Sequence, residues 1–68
     1  MGSVARVTEI SARSTDSFDD AVRTGIERAA KTLRNIESAW VKEQRVVLND
    51  GNIEAYQVNL NVTFELDD

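Results

Sequence analysis

The clearest pattern in the chain is a strict alternation near its end. Tyr56, Val58, Leu60, Val62, Phe64 and Leu66 occupy every second position, with Gln57, Asn59, Asn61 and Thr63 between them. Side chains alternate faces along a strand, so this pattern predicts a strand with one apolar and one amide-rich face. From Ile53 to Leu66 it would span roughly 45 Å at ~3.4 Å per residue, long for a chain of 68 residues. Such a strand is expected to project past its own core into a neighbour. Asn49-Asp50-Gly51-Asn52 precedes it, and Asp-Gly is a strong signal for a two-residue hairpin turn. With Asp50 and Gly51 as the loop, Asn49 faces Asn52 and the register follows. Val41 then lies opposite Leu60, Gln44 opposite Gln57 and Arg45 opposite Tyr56.

Upstream the period changes. Phe18, Ala21, Val22, Gly25, Ile26, Ala29 and Leu33 recur at three and four residues, the spacing of a helix with one buried face. Ser17 and Asp20 fit a capping box at its start, Asp16, Asp19 and Asp20 favour the positive end of its dipole, and Asn35 is a candidate stop. Gly25 costs about 1 kcal/mol against alanine inside a helix, so close approach to a sheet is its expected compensation. Asp19, Arg23, Glu27 and Lys31 step by four with alternating sign and read as a solvated face. Before the helix, Val4 to Ser11 reads as a first strand, followed by the polar break Ser14-Thr15-Asp16-Ser17.

The hairpin register assigns the two faces of the sheet. The helix is expected to cover Ala39, Val41, Val58, Leu60 and Val62. The far face then holds Ser38, Trp40, Gln44, Val46 and Leu48 beside Ile53, Ala55, Gln57 and Asn61. Near the turn this is an apolar cluster that one helix cannot cover, and contiguous exposed apolar surface marks an interface. Trp40, the only tryptophan, sits farther along the same face among amides. It suits either a ligand platform or an interface anchor.

Composition narrows the function. A chain this short buries only about 60% of its unfolded surface, and with no cysteine it has no disulfide to add stability. Oligomerisation is the remaining means of support. The net charge of −4 argues against nucleic acid as a partner. No apolar stretch approaches a membrane span of ~20 residues, and no secretory signal opens the chain, so the expected location is cytoplasmic. With neither Cys nor His a nucleophile-base pair is hard to assemble, and neither Lys31 nor Lys42 has surroundings suited to that role. Asp19-Asp20 reads as helix-start electrostatics and Asp67-Asp68 as a solvated acidic tail. Glu9, Glu43 and Glu65 read as solvated strand charges, with lining of pores in a closed shell as the alternative. The chain reads as a binding protein, not an enzyme. One domain is expected over 4–66, with Met1-Gly2-Ser3 a candidate expression scar.

Five segments, in this order and spacing, resemble the dodecin family. They are Val7-Thr8-Glu9-Ile10, Ala29-Ala30-Lys31-Thr32-Leu33-Arg34-Asn35-Ile36, Trp40-Val41-Lys42-Glu43, Tyr56-Gln57-Val58 and Val62-Thr63-Phe64-Glu65-Leu66. The resemblance implies an α+β fold, a β-α-β-β subunit whose three-stranded antiparallel sheet partly wraps one helix, and a hollow homododecamer. It implies non-enzymatic binding, storage or sequestration of a flavin (FMN, riboflavin or FAD), stacked on tryptophan with a glutamine at its polar edge. Gln57, after Tyr56, matches that glutamine. The stacking position, counted from Leu33-Arg34-Asn35-Ile36, falls on Ser38, and Trp40 lies two residues on. Strand parity keeps Trp40 on the same face, ~6.8 Å along. The candidate flavin residues are therefore Trp40, Gln57, Ser38 and Gln44. The resemblance also includes flavin-free shells with a structural or calcium-binding role.

Overall fold

The alternating segment becomes the central strand of a three-stranded antiparallel sheet. In the computed structural model, which describes residues 2–67, the elements are β1 (Ala5–Ser14), α1 (Phe18–Ala30), β2 (Ile36–Asn49) and β3 (Asn52–Glu65). The sheet order is β1-β3-β2. The β-α-β-β subunit with one helix and an antiparallel sheet is the fold expected from the sequence. Its extents are 53 × 19 × 13 Å, because β2 and β3 run on well beyond the helix.

The core follows the alternation. Val58, Leu60 and Val62 are fully buried beneath the helix, together with Ala21. Ile10 and Ala12 of β1 pack on them, as do Phe18, Val22, Ile26 and Leu33 from the helix and the turn after it. Gly25 marks the closest approach of helix to sheet. A Cβ there would stand 3.0 Å from Leu60 Cδ1 and 3.1 Å from Ala12 Cβ. The expected compensation for a helical glycine is therefore present. The helix lies over β1 and β3, so Val41 of β2 faces the same side yet stays 41% exposed, and Ala39 is exposed with it.

Both ends of the helix differ in detail from the sequence expectation. Ser17 is the N-cap, its hydroxyl accepting from the Asp20 amide at 3.0 Å. The Asp20 carboxylate does not reach back to Ser17. It accepts instead from the Ser14 hydroxyl at 2.6 Å, and that hydroxyl also accepts from the Asp16 amide at 2.9 Å. Ser14 thus ties the end of β1 to the first turn of α1. At the other end the helix stops at Ala30, as the Lys31 and Thr32 amides tighten onto the Arg28 and Ala29 carbonyls. Asn35 adopts a left-handed φ of 62° five residues later. It opens β2 rather than closing the helix, its carbonyl accepting from the Glu65 amide at 3.0 Å.

The turn is as expected, with Asp50 at φ 52° and Gly51 at φ 77°, the two left-handed residues of a type I′ hairpin. The register holds only in parts. Asn49 faces Asn52 and Val41 faces Leu60, but three bulges interrupt the ladder. Glu54 is extra on β3, and Lys42 and Glu37 are extra on β2. Between the first two bulges the pairing is offset by one residue, so Arg45 faces Gln57, Gln44 faces Val58 and Val46 faces Tyr56. A one-residue slip sends each side chain to the other face. Gln44 and Val46 therefore point to the helix side, and Leu48 and Ile53 join them there. The apolar cluster at the tip is exposed as expected, with Val46 at 41%, Leu48 at 59% and Ile53 at 55%. It lies beyond the helix start on the helix side of the sheet, and Ala55 is buried instead of belonging to it.

Candidate ligand-binding face

The odd-numbered positions of β3 build the face that the helix leaves bare. Gln57, Asn59, Asn61 and Thr63 run down its middle. Arg13, Ser11, Glu9 and Val7 of β1 face them in that order on one side. Arg45, Glu43, Trp40 and Ser38 of β2 face them on the other. Ser38 and Trp40 do share this face, as strand parity predicts. Gln44 does not, because the bulged Lys42 moves it to the helix side; of the four candidate residues, three are brought onto one surface.

Trp40 stands opposite Asn61 and is 69% exposed. An indole that open has a large face free for stacking. Gln57 lies four residues along β3 from the Trp40 row, ~14 Å by strand rise. One subunit therefore places the ring and the amide at two ends of an open polar strip. Tyr56, on the opposite face, packs against Phe18 with ring centroids 5.1 Å apart and an edge-to-face angle of 73°. It belongs to the core rim.

The strip between Trp40 and Gln57 is knitted across all three strands. Arg13 donates from Nε to Gln57 Oε1 at 2.8 Å. Gln57 Nε2 donates to Asn59 Oδ1 at 3.4 Å, and Asn59 Nδ2 donates to Glu43 Oε1 at 3.1 Å. Lys42, pushed onto this face by its bulge, donates across β3 to Glu9 Oε1 at 3.4 Å. Glu9 and Glu43 are exposed, as expected of solvated strand charges, and each also accepts a bond from this lattice. Sequence reasoning missed Arg13 here. The signal available was parity: once β1 is paired with β3, Arg13 falls opposite Gln57.

Fold and bare face together define the class, a small β-α-β-β subunit with a helix on one side of its sheet and an open amide-lined surface on the other. A family model for dodecin matches residues 4–67, and the chain belongs to the dodecin family. The dodecin of Streptomyces davaonensis superposes with a TM-score of 0.93 at 43% identity, covering 100% of both chains. The dodecin of Thermus thermophilus is 34% identical over 68 residues, 100% of this chain and 99% of that protein. A calcium dodecin of Mycobacterium tuberculosis, described as calcium chelating with a novel calcium-binding site, superposes with a TM-score of 0.84 at 28% identity, covering 96% of this chain and 93% of that one.

Proposed function

We propose that the chain assembles into a hollow homododecamer that binds a flavin on the bare face, with Trp40 stacking on the isoalloxazine ring and Gln57 at its polar edge. The observation that carries this reading is an indole 69% exposed on the same face as Gln57. Burying an aromatic against it contributes ~0.5–1.5 kcal/mol beyond area. The open strip is only half of an enclosed pocket, so a second subunit is expected to close it. Binding and storage, without turnover, suit a face with neither Cys nor His. Titration of riboflavin and FMN into the protein, followed by flavin fluorescence, tests the reading. Saturable quenching that falls several-fold in Trp40→Ala supports it, and no quenching in the wild type overturns it.

Assembly has its own test. Leu48→Asp places a charge in the exposed apolar cluster at the hairpin tip, and a buried unpaired charge disrupts an interface. Native mass measurement is expected to show the wild type as a dodecamer and this variant dissociated. A wild type that stays monomeric at micromolar concentration would overturn the assembly.

A second reading is favoured by Ser38, which stands where the flavin-binding family pattern has tryptophan. It is a flavin-free shell with a structural or calcium-binding role. Among the described residues no three carboxylates gather at one point. A calcium ion, which takes about six to eight oxygens, would draw its carboxylates from several subunits. Ser38→Trp separates the two readings: quenching gained only in that variant places the loss of flavin binding at this one position.

A further inference from the structure

From the hydrogen bonds that cross the bare face we infer that Arg13 and Glu43 are positioning residues that hold the Gln57 amide with its free N–H toward the ligand, so that the face selects a ligand edge that accepts. This rests on the bare face being the binding surface. The chain of bonds runs in one direction, from Arg13 on β1 through Gln57 and Asn59 on β3 to Glu43 on β2, over 2.8, 3.4 and 3.1 Å. An amide can turn end for end, but the termini of this chain cannot. A guanidinium has only donors and an ionised carboxylate only acceptors. With the cation at one end and the carboxylate at the other, a single orientation satisfies both amides. The Gln57 carbonyl is occupied by Arg13, and one Nε2 proton goes to Asn59. What Gln57 has left to donate is its second N–H, while Oε1 keeps one lone pair beside its Arg13 bond. A carbonyl or imine-type nitrogen on a ligand can take that proton, whereas a ligand N–H would have to share Oε1 with the Arg13 guanidinium.

The charge swap R13E/E43R tests this, because it keeps the net charge and reverses the direction of the chain. Gln57 then donates to the new carboxylate at position 13 and turns its carbonyl outward. Flavin affinity is expected to fall about ten-fold or more, as a ligand acceptor then meets an acceptor. Gln57→Glu keeps the Arg13 bond while presenting no proton, and the same loss is expected. Arg13→Lys keeps a cationic donor and is expected to stay within about three-fold of the wild type. The chain has only two glutamines, Gln44 and Gln57, so side-chain 15N labelling of glutamine gives two amide pairs, with Gln44 as internal reference. In the unliganded swap, one Gln57 proton is expected to move downfield as its acceptor changes from an amide to a carboxylate. This readout needs no ligand. A shifted proton without any wild-type quenching supports the chain of bonds and overturns only the flavin reading. An unshifted proton in the swap overturns the inference, as does wild-type affinity in either the swap or Gln57→Glu.

Discussion

The two sides of β3 solve opposite problems with alternate residues of one strand. Its even positions carry Val58, Leu60 and Val62, each fully buried under a helix that belongs to the same subunit. Its odd positions carry Gln57, Asn59 and Asn61, of which the first two are tied sideways to Arg13 on β1 and Glu43 on β2, and the helix covers none of them. The part of the helix side that lies under α1 is complete within one chain and sets its stability. The bare side meets its polar needs laterally, so it stays ordered while open. Stability and binding are therefore expected to respond to different halves of one alternating pattern.

The strongest way to break this contrast is Leu60→Ala. A cavity beneath the helix is expected to lose about 2–5 kcal/mol in denaturant unfolding, whereas Asn61→Ala, next along on the other face, should change stability by no more than about 0.5 kcal/mol. Comparable losses would mean that the bare face also carries the fold. Gly25→Ala probes the gap between helix and sheet. The added methyl removes a helix penalty of about 1 kcal/mol but meets Ala12 Cβ at 3.1 Å, which cannot yield unless β1 moves. Overpacking costs about 1–3 kcal/mol, so a net loss of about 1 kcal/mol is expected in the same assay. Ser17→Ala removes the N-cap and should lower stability by about 1 kcal/mol, with a similar result expected from Ser14→Ala, since it frees the Asp20 carboxylate. A small effect is also expected from Lys42→Ala. Its ion pair with Glu9 is about half exposed, and such pairs contribute roughly 0–1 kcal/mol. Thermal midpoints with and without salt would show whether even that small term survives screening.

Much of the fold was legible because each element carries its own period. The alternation around Val58 to Val62, the three-four spacing from Phe18 and the Asp50-Gly51 turn are local signals, and each element formed where its signal lies. Leu33 was read as helical because it continues the apolar spacing. It does pack on the core, but from the turn after the helix has ended. The site was legible only in part. Trp40, Ser38 and Gln57 share a face because parity between Trp40 and Ser38 survives, the Glu37 bulge falling before both. Gln44 was misplaced because no residue type announces a bulge at Lys42, an ordinary lysine in a polar run. Arg13 was missed because pairing between β1 and β3 is non-local, and Gln57 gains its partner only when distant strands meet.

The bulges have a consequence for shape. Between Ile36 and Asn49, β2 takes two extra residues, at Lys42 and Glu37, while the facing run of β3 takes one, at Glu54. Two rails of unequal length, laddered together, cannot lie straight. The longer must follow the outer arc, and each inserted residue also increases the local right-handed twist. The hairpin is a ribbon sprung toward a bend, with its curvature written into the backbone before any neighbour arrives. Deleting Lys42 would make the rails even again while leaving Val41 opposite Leu60 and Glu43 opposite Asn59, so the side chains would keep their faces and only the built-in bend would go.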